Sequence, residues 1–171
     1  MVLDGRQAEA EDEGAAGDAE PELSEDAAGK VGSILEEFMC NHDVEEAALC
    51  LTELHDKGYP RGLLNEEIVH RGLLLALDAS EKECELMGRM FGSLLGDKLL
   101  SGEDGARGFC KVLRDLPDIA IDIPKAPALL AGILRNLAVD AALLDRALLA
   151  EGVRALREAC PSSGKHFDGI A

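Results

Sequence analysis

The sequence predicts an all-α fold: a single stack of about seven to eight antiparallel helices behind an acidic N-terminal tail. Aromatic residues make up only 3% of the 171 residues and Trp is absent, so the core is expected to consist of small and aliphatic side chains, which favours helices packed on helices. Apolar residues recur at helical spacing through most of the chain, and no alternating strand pattern is found. A chain of this length suits one domain.

The N-terminal segment, residues 1–29, is predicted to be a disordered acidic tail. It holds ten acidic residues and one basic residue, and it has too few large apolar side chains to offset the entropy of ordering. It carries about half of the formal net charge of −17. An excess of negative charge repels phosphate groups, so we expect no direct binding of nucleic acid or of anionic membranes, and the sequence favours a basic protein surface as partner.

Cysteine usage and apolar runs indicate the environment. Five cysteines without a CxxC pair predict reduced thiols in an intracellular compartment. The longest apolar runs, residues 72–77 and 126–133, are too short to span a bilayer, and the N-terminus is acidic where a secretory signal is basic. We therefore expect no membrane span.

The first three helices are predicted from apolar spacing and capping residues. The first begins near Val31 and ends at Asn41. Asp43 and Glu46 resemble a capping box at the start of the second, which ends near Gly58. Asn65 can cap the third, whose apolar residues cover much of its circumference, as in a central helix.

Ser80 and Glu83 form a capping box for the fourth helix. The fifth follows a polar, Gly-rich turn and is expected to stop at Pro117, which makes residues 117–123 an extended connector. Pro124 suits the entry to the sixth helix, and Asp140 can cap the seventh.

A last short helix is expected to stop at Pro161. Residues 161–171 are therefore predicted to be a flexible C-terminal tail, and residues 30–160 the folded helical domain. The helices form pairs that recur about every 35 to 45 residues, which suggests a compact stack of the HEAT type.

Motifs for catalysis or metal binding fail on inspection. Cys40 and His42 supply only two of about four ligands that a zinc site needs. The run SSGK at residues 162–165 lacks the first glycine and the preceding strand of a phosphate-binding loop. We therefore expect no enzyme activity, no cofactor and no bound metal.

The unusual segment is the run LRDLPDIAIDIPKAP, residues 113–127. Asp118 and Asp122 stand four residues apart between two prolines, in a stretch expected to be non-helical. Two interpretations are open at this point. Asp122 caps the sixth helix, or both carboxylates point outward and bind a Lys or Arg of a partner.

At this segment the chain resembles the MA-three (MA3) domain family, the helical, HEAT-like domains of the programmed cell death protein 4 family and of the large scaffold of translation initiation. Residues 30–55 are similar to the opening helix pair of that family, and residues 116–127 to its loop with Leu-Pro-acid and Asp-x-Pro. Residues 156–167 resemble the tail that closes the last, C-terminal domain of the cell death protein. The resemblance covers about residues 30–167.

This resemblance implies a protein-interaction module that binds the DEAD-box helicase initiation factor 4A and inhibits translation initiation without catalysis. The helicase contacts of the family map onto Asp118, Asp122 and Pro124, which favours contact over capping for the two aspartates. It also implies residence in cytoplasm and nucleus, and we expect a monomer. The alternative is a scaffold-type domain that recruits a kinase or another translation factor and leaves the helicase active.

Overall fold

A computed structural model describes residues 21–140 and 143–170, and throughout those ranges the regular structure is helical. The helices are α1 Glu25–Asn41, α2 Val44–His55, α3 Arg61–Ala79, α4 Glu81–Gly96, α5 Gly102–Asp122, α6 Ala126–Leu134, α7 Arg146–Ala159 and α8 Pro161–Gly164. A π-helical turn, Arg135–Asp140, continues α6, and a 3-10 turn, Lys165–Phe167, follows α8. The predicted all-α fold with about seven to eight helices is confirmed.

The centre of the stack is α3, as its apolar pattern predicted. It packs against α1, α4, α5 and α6, and α5 lies between α3 and α7. The rings of Phe91 in α4 and Phe109 in α5 meet edge to face, with centroids 6.3 Å apart, and neither side chain is exposed. Such a pair contributes about 0.5 to 1.5 kcal/mol beyond the apolar area it buries, so it stabilises the α4 and α5 arrangement.

The backbones of α5 and α3 come close at Gly108. A Cβ atom at this position would lie 2.6 Å from the Cβ of Val69 and 2.8 Å from the carbonyl oxygen of Glu66. Only a glycine avoids both contacts without a shift of one helix. The position of α5 on the central helix therefore depends on this residue.

The predicted capping residues of α2 and α4 act as expected. Asp43 Oδ1 accepts a hydrogen bond from the backbone N–H of Glu46 at 3.0 Å, and Ser80 Oγ accepts one from Glu83 at 3.5 Å. Ser101 caps α5 in the same way, accepting from the N–H of Asp104 at 3.0 Å. Each such cap stabilises a helix by about 1 kcal/mol.

The predicted boundary of the N-terminal tail at residue 29 was wrong. Residues 1–20 lie outside the described part of the chain, but α1 begins at Glu25 rather than Val31, because Ser24 Oγ accepts a hydrogen bond from the N–H of Ala27 at 3.3 Å. Asp26 Oδ2 also accepts a hydrogen bond from the Tyr59 hydroxyl at 2.5 Å. These contacts order the first turn of α1.

Asn65 does not cap α3, which begins four residues earlier behind Pro60. It is buried inside the helix, where its Oδ1 lies 2.8 Å from His55 Nε2 and its Nδ2 donates to Asp104 Oδ2 at 3.1 Å. The amide thus joins the end of α2 and the start of α5 to the central helix. In the sequence, an Asn that is buried inside a helix looks the same as an Asn that caps the start of one.

Two predictions near the C-terminus were also wrong. The cap of α7 is Asp145 rather than Asp140, and its Oδ1 accepts from the N–H of Ala147 at 3.0 Å. The segment after Pro161 is not a flexible tail up to residue 170, because Phe167 and Ile170 are fully buried in the core. Arg157 reinforces this by donating to Asp168 Oδ1 at 2.8 Å.

No helix in the described ranges combines the length and the apolar character that crossing a membrane requires.

Candidate partner-binding site

The segment with both aspartates is helical, and the prediction of an extended connector was wrong. Pro117 lies inside α5, which continues to Asp122. A proline in a helix interior costs about 3 kcal/mol. The fully buried Leu116 and the half-buried Ile119 and Ile123, which pack on the core, offset that cost, because burying one large aliphatic side chain contributes about 1.5 to 3 kcal/mol.

The end of α5 is set by the next proline, Pro124. The residue before a proline is restricted to extended conformations, and Ile123 has φ −123° and ψ 83°. The N–H of Ala126 then donates to the carbonyl of Ile123 at 2.9 Å, which closes a four-residue turn. Lys125, with φ −83° and ψ −11°, takes the third position of a type I turn, and Pro124 takes the second, its preferred place.

The structure brings the three predicted site residues together at this corner. Asp118 and Asp122 are one helical turn apart on α5, and Pro124 follows two residues later. All three are exposed. Side chains four residues apart on a helix are neighbours, with Cβ atoms about 5 to 6 Å apart, so the two carboxylates form one acidic site.

Asp122 does not cap α6. The N-cap position of α6 is Lys125, and it makes no side-chain capping bond. The capping interpretation of Asp122 was therefore wrong, and its carboxylate is left for other contacts.

The acidic site is electrostatically unfavourable for α5 itself. The C-terminus of a helix carries partial negative charge and favours basic side chains, yet no basic residue lies in the last turn of α5. Among the described residues no ion pair involves Asp118 or Asp122. Two carboxylates placed where the helix repels them, without an internal partner, are suited to an external basic group.

Two further residues of this corner were missed by the sequence reasoning. Ile121 is 77% exposed and lies between the aspartates, and Asp115 adds a third exposed carboxylate one turn before Asp118. The signal was present: apolar residues continue at helical spacing from Leu116 to Ile123, and this places Ile121 on the outer side. The assumption that Pro117 ends the helix hid it.

Earlier on the same outer face of α5, the charges change sign. Arg107, Lys111 and Arg114 precede Asp118 and Asp122 at helical intervals, and we call these five residues the α5 stripe. Arg107 donates to Glu103 Oε1 at 2.6 Å and Lys111 pairs with Glu66. In the described part of the chain no ion pair involves Arg114.

The described residues hold no group of three or more His, Cys, Asp or Glu that could bind a metal. Burial raises the pKa of the Cys84 thiol to about 11 and also raises that of Cys110, so these thiols are poor nucleophiles. Cys160 differs, because its hydrogen bonds with Ser162 and Ser163 lower the pKa of its thiol to about 7. Its side-chain hydrogen-bond partners in the described ranges are these two serines, and neither is a general base.

Comparisons with known proteins identify what this fold resembles. A family model described as "MA3 domain" matches residues 28–144, more than half of the chain. The chain is 31% identical over 121 residues to MA3 domain-containing translation regulatory factor 1 of Arabidopsis thaliana, and the alignment covers 71% of this chain and 16% of that protein.

Two other relatives show the same pattern. Identity to eukaryotic translation initiation factor 4 gamma 3 of Mus musculus is 31% over 132 residues, which cover 77% of this chain and 8% of the relative. Identity to programmed cell death protein 4 of Gallus gallus is 24% over 137 residues, which cover 80% of this chain and 26% of the relative. The chain therefore matches only a small part of each of these longer proteins.

Proposed function

Because the chain belongs to the MA3 domain family, we propose that it is a protein-interaction module that binds the DEAD-box helicase initiation factor 4A and inhibits translation initiation. Relatives named as translation regulatory and initiation factors support a role in translation. The observation that carries the proposal is the acidic site at the end of α5. Asp118 and Asp122 lie exposed at a helix end that disfavours them, beside Pro124. The function requires no catalysis.

The binding mode follows from this corner. A Lys or Arg of the helicase forms charge-assisted hydrogen bonds with the two carboxylates, and a guanidinium can bind a carboxylate with two parallel bonds. Ile121 and Pro124 add apolar contact next to the charges, and exposed apolar residues next to charged ones are typical of interaction surfaces. Asp115 extends the negative potential toward the approaching partner.

Inhibition follows from occupancy. A helicase bound at the acidic site is held in an arrangement that is not productive for RNA unwinding. The carboxylates of Asp118 and Asp122 and the phosphates of RNA are both anionic and bind basic groups, so the chain competes with RNA for the basic residues of the helicase that both would use.

The test is titration calorimetry of the full chain with the helicase. The variant Asp118→Asn/Asp122→Asn removes both charges with little change in shape. We expect a loss of about 2 to 5 kcal/mol in binding free energy, which corresponds to a Kd about 30- to 5000-fold weaker. The matched control is Glu45→Gln/Glu53→Gln, which removes two exposed charges from α2, a helix that packs mainly against α1 and α4.

Equal affinity of the aspartate variant and the wild type would exclude this site, and an equal loss in the control would show that only total charge matters. Raising the salt concentration should weaken the binding of the wild type more than that of the aspartate variant. The reason is that the variant has two fewer charges whose attraction to the helicase salt can screen.

The scaffold alternative has support of its own, since identity to the initiation factor 4 gamma 3 relative is 31% against 24% for the cell death protein. A scaffold-type domain would recruit a kinase or another translation factor and leave the helicase active. An unwinding assay separates the two: added protein reduces the unwinding rate if it inhibits and leaves the rate unchanged if it only recruits.

We also propose that the protein resides in cytoplasm and nucleus, and fractionation of cells tests this. The monomeric state stays a prediction.

A further inference from the structure

A groove of about 630 Å³ lies between α4 and α6, and we call it the α4–α6 groove. Its apolar lining includes the buried side chains of Ile133 and Leu137 and the half-buried side chains of Leu129 and Leu143. The volume falls in the range of roughly 300 to 1,000 Å³ that is typical of binding clefts. Charged side chains line the groove as well, and their order along it indicates what it can bind.

The two walls of the groove run in the same direction. A Cβ atom at Gly88 of α4 would lie 3.4 Å from Ile133 Cγ2, and one at Gly92 would lie 3.5 Å from Leu137 Cδ2. Both contacts advance by four residues, about one helical turn, so α4 is parallel to α6 and to the π-helical turn that continues α6. Positions along one wall can therefore be matched to positions along the other.

The charges of the groove are separated by sign. Glu81 and Glu85 lie at the end where α4 begins. Arg89 follows Glu81 at a distance of about 12 Å along the helix, and the matching of the two walls places Arg135 at nearly the same level as Arg89. All four side chains are exposed. The groove therefore has an acidic end and a basic end.

These four charges are not used in ion pairs of the domain. In the part of the chain that the structure describes, no ion pair includes any of them. Arg135 donates one hydrogen bond to the carbonyl oxygen of His166 at 3.3 Å, but a guanidinium has five N–H groups. The groove thus offers charges of both signs to an external group.

This order of charges selects the direction of a helical occupant. A helix is favoured when acidic side chains lie near its N-terminus and basic side chains near its C-terminus. A helix of that kind meets opposite charges at both ends of the groove only if it runs antiparallel to α4. The same direction sets its dipole against the dipoles of the two parallel helices that form the walls. Side-chain charge and helix dipole therefore favour the same arrangement.

We propose that the α4–α6 groove binds an amphipathic helix of a partner protein, antiparallel to α4. Its acidic residues lie against Arg89 and Arg135, and its basic residues lie against Glu81 and Glu85. Its apolar side chains pack over Leu129. The groove shares no lining residue with the acidic site of α5, so this contact does not depend on the proposed binding of the helicase.

The test is a titration of the full, isotope-labelled chain with two synthetic helical peptides, followed by amide NMR. The peptides have the same composition and the same apolar face, and they differ only in whether the acidic residues precede or follow the basic ones. The peptide with acidic residues first should shift amides of α4 and α6 and bind about tenfold more tightly than the other. The variant Glu81→Lys/Glu85→Lys/Arg89→Glu/Arg135→Glu reverses the charges of the groove and should reverse this preference. A difference in helicity between the peptides cannot produce such a reversal.

A second variant, Gly132→Leu, fills the groove without changing its charges. A Cβ atom at Gly132 has no atom within 4 Å, so the fold tolerates the new side chain, which should prevent binding of the peptide. The matched control is Gly29→Leu, because a Cβ atom there also has no close neighbour and the residue lies on α1, outside the groove. Neither variant should change the affinity for the helicase, so the two proposals can fail separately.

Four results would overturn the proposal. Failure of both peptides to bind, or equal binding of both to the wild type, would show that the order of charges selects no helix. Unchanged binding to Gly132→Leu, or shifts at the acidic site of α5 in place of α4 and α6, would show that the peptide binds elsewhere. Shifts of the groove amides that grow with protein concentration in the absence of peptide would show that a second copy of the chain covers this surface. Loss of binding in Gly29→Leu as well would show that the effect is not local.

Discussion

The two halves of α5 differ in what their residues do. In the first half, residues 102–113, side chains pack on α3, Phe109 meets Phe91 of α4, and the charges of Arg107 and Lys111 are paired within the domain. In the second half, residues 114–122, an interior proline and two carboxylates without an ion pair among the described residues weaken the helix, and the exposed Ile121 adds little to its stability. The first half holds α5 in place, so the second can carry groups that contribute little to folding.

The largest expected effect is on packing under the first half. Phe109→Ala removes a fully buried ring and its edge-to-face partner contact, and should lower the free energy of unfolding by about 3 to 5 kcal/mol in urea titration. Ile121→Ala, in the second half, should change it by less than about 0.5 kcal/mol, because the side chain is 77% exposed. Similar losses in both variants would remove the contrast between the halves.

A smaller loss is expected at Gly108. Gly108→Ala places a methyl group against Val69 and the backbone of α3, and should cost about 1 to 3 kcal/mol in the same measurement. Gly96→Ala is the matched control, since a Cβ there has no atom within 4 Å and the change should cost nothing. A neutral Gly108 variant would mean that α5 shifts freely on α3.

The third prediction has the opposite sign. Asp118→Asn/Asp122→Asn should stabilise the fold by about 0.5 to 1 kcal/mol, because it removes negative charge from a helix C-terminus and relieves repulsion across one turn. Thermal unfolding at low salt measures this. Glu103→Gln, at the N-terminus of the same helix, should instead destabilise. A gain in stability together with a loss of helicase affinity is expected of residues kept for binding.

The smallest effect is expected at the corner itself. Pro124→Ala should lower the free energy of unfolding by about 0.4 to 1 kcal/mol, mainly because the unfolded chain gains freedom. It also releases Ile123 from its extended conformation, so circular dichroism should show no loss of helix. A larger loss of stability would mean that the proline shapes the turn rather than the unfolded chain.

The acidic site shows how far local signals reach. Asp118 and Asp122 could be singled out from their spacing between two prolines, and the resemblance to the MA3 domain family added Pro124. Their setting could not, because the rule that a proline ends a helix is local. The side chains of Leu116, Ile119 and Ile123 overrule it through contacts with helices distant in sequence.

The ends of the domain give the same result. Ser24 is a good capping residue, but the sequence around it does not show that Tyr59, 33 residues after Asp26, also binds the first turn of α1. Phe167 and Ile170 follow a proline and a run of small polar residues, and only the packing of this segment on helices earlier in the chain, such as α6, makes them core residues. A local sequence pattern cannot show that a residue is buried by helices far away in the chain.

By itself the sequence determined the helical class, the central position of α3 and the caps of α2 and α4. These features depend on apolar periodicity and on hydrogen bonds between a side chain and the backbone a few residues away. Both can be recognised in a short stretch of sequence. The tertiary structure alone decided that α5 runs through Pro117 and that the α5 stripe changes from basic to acidic along one face. That outcome rests on packing free energy summed over several helices, which outweighs the preference of any single residue.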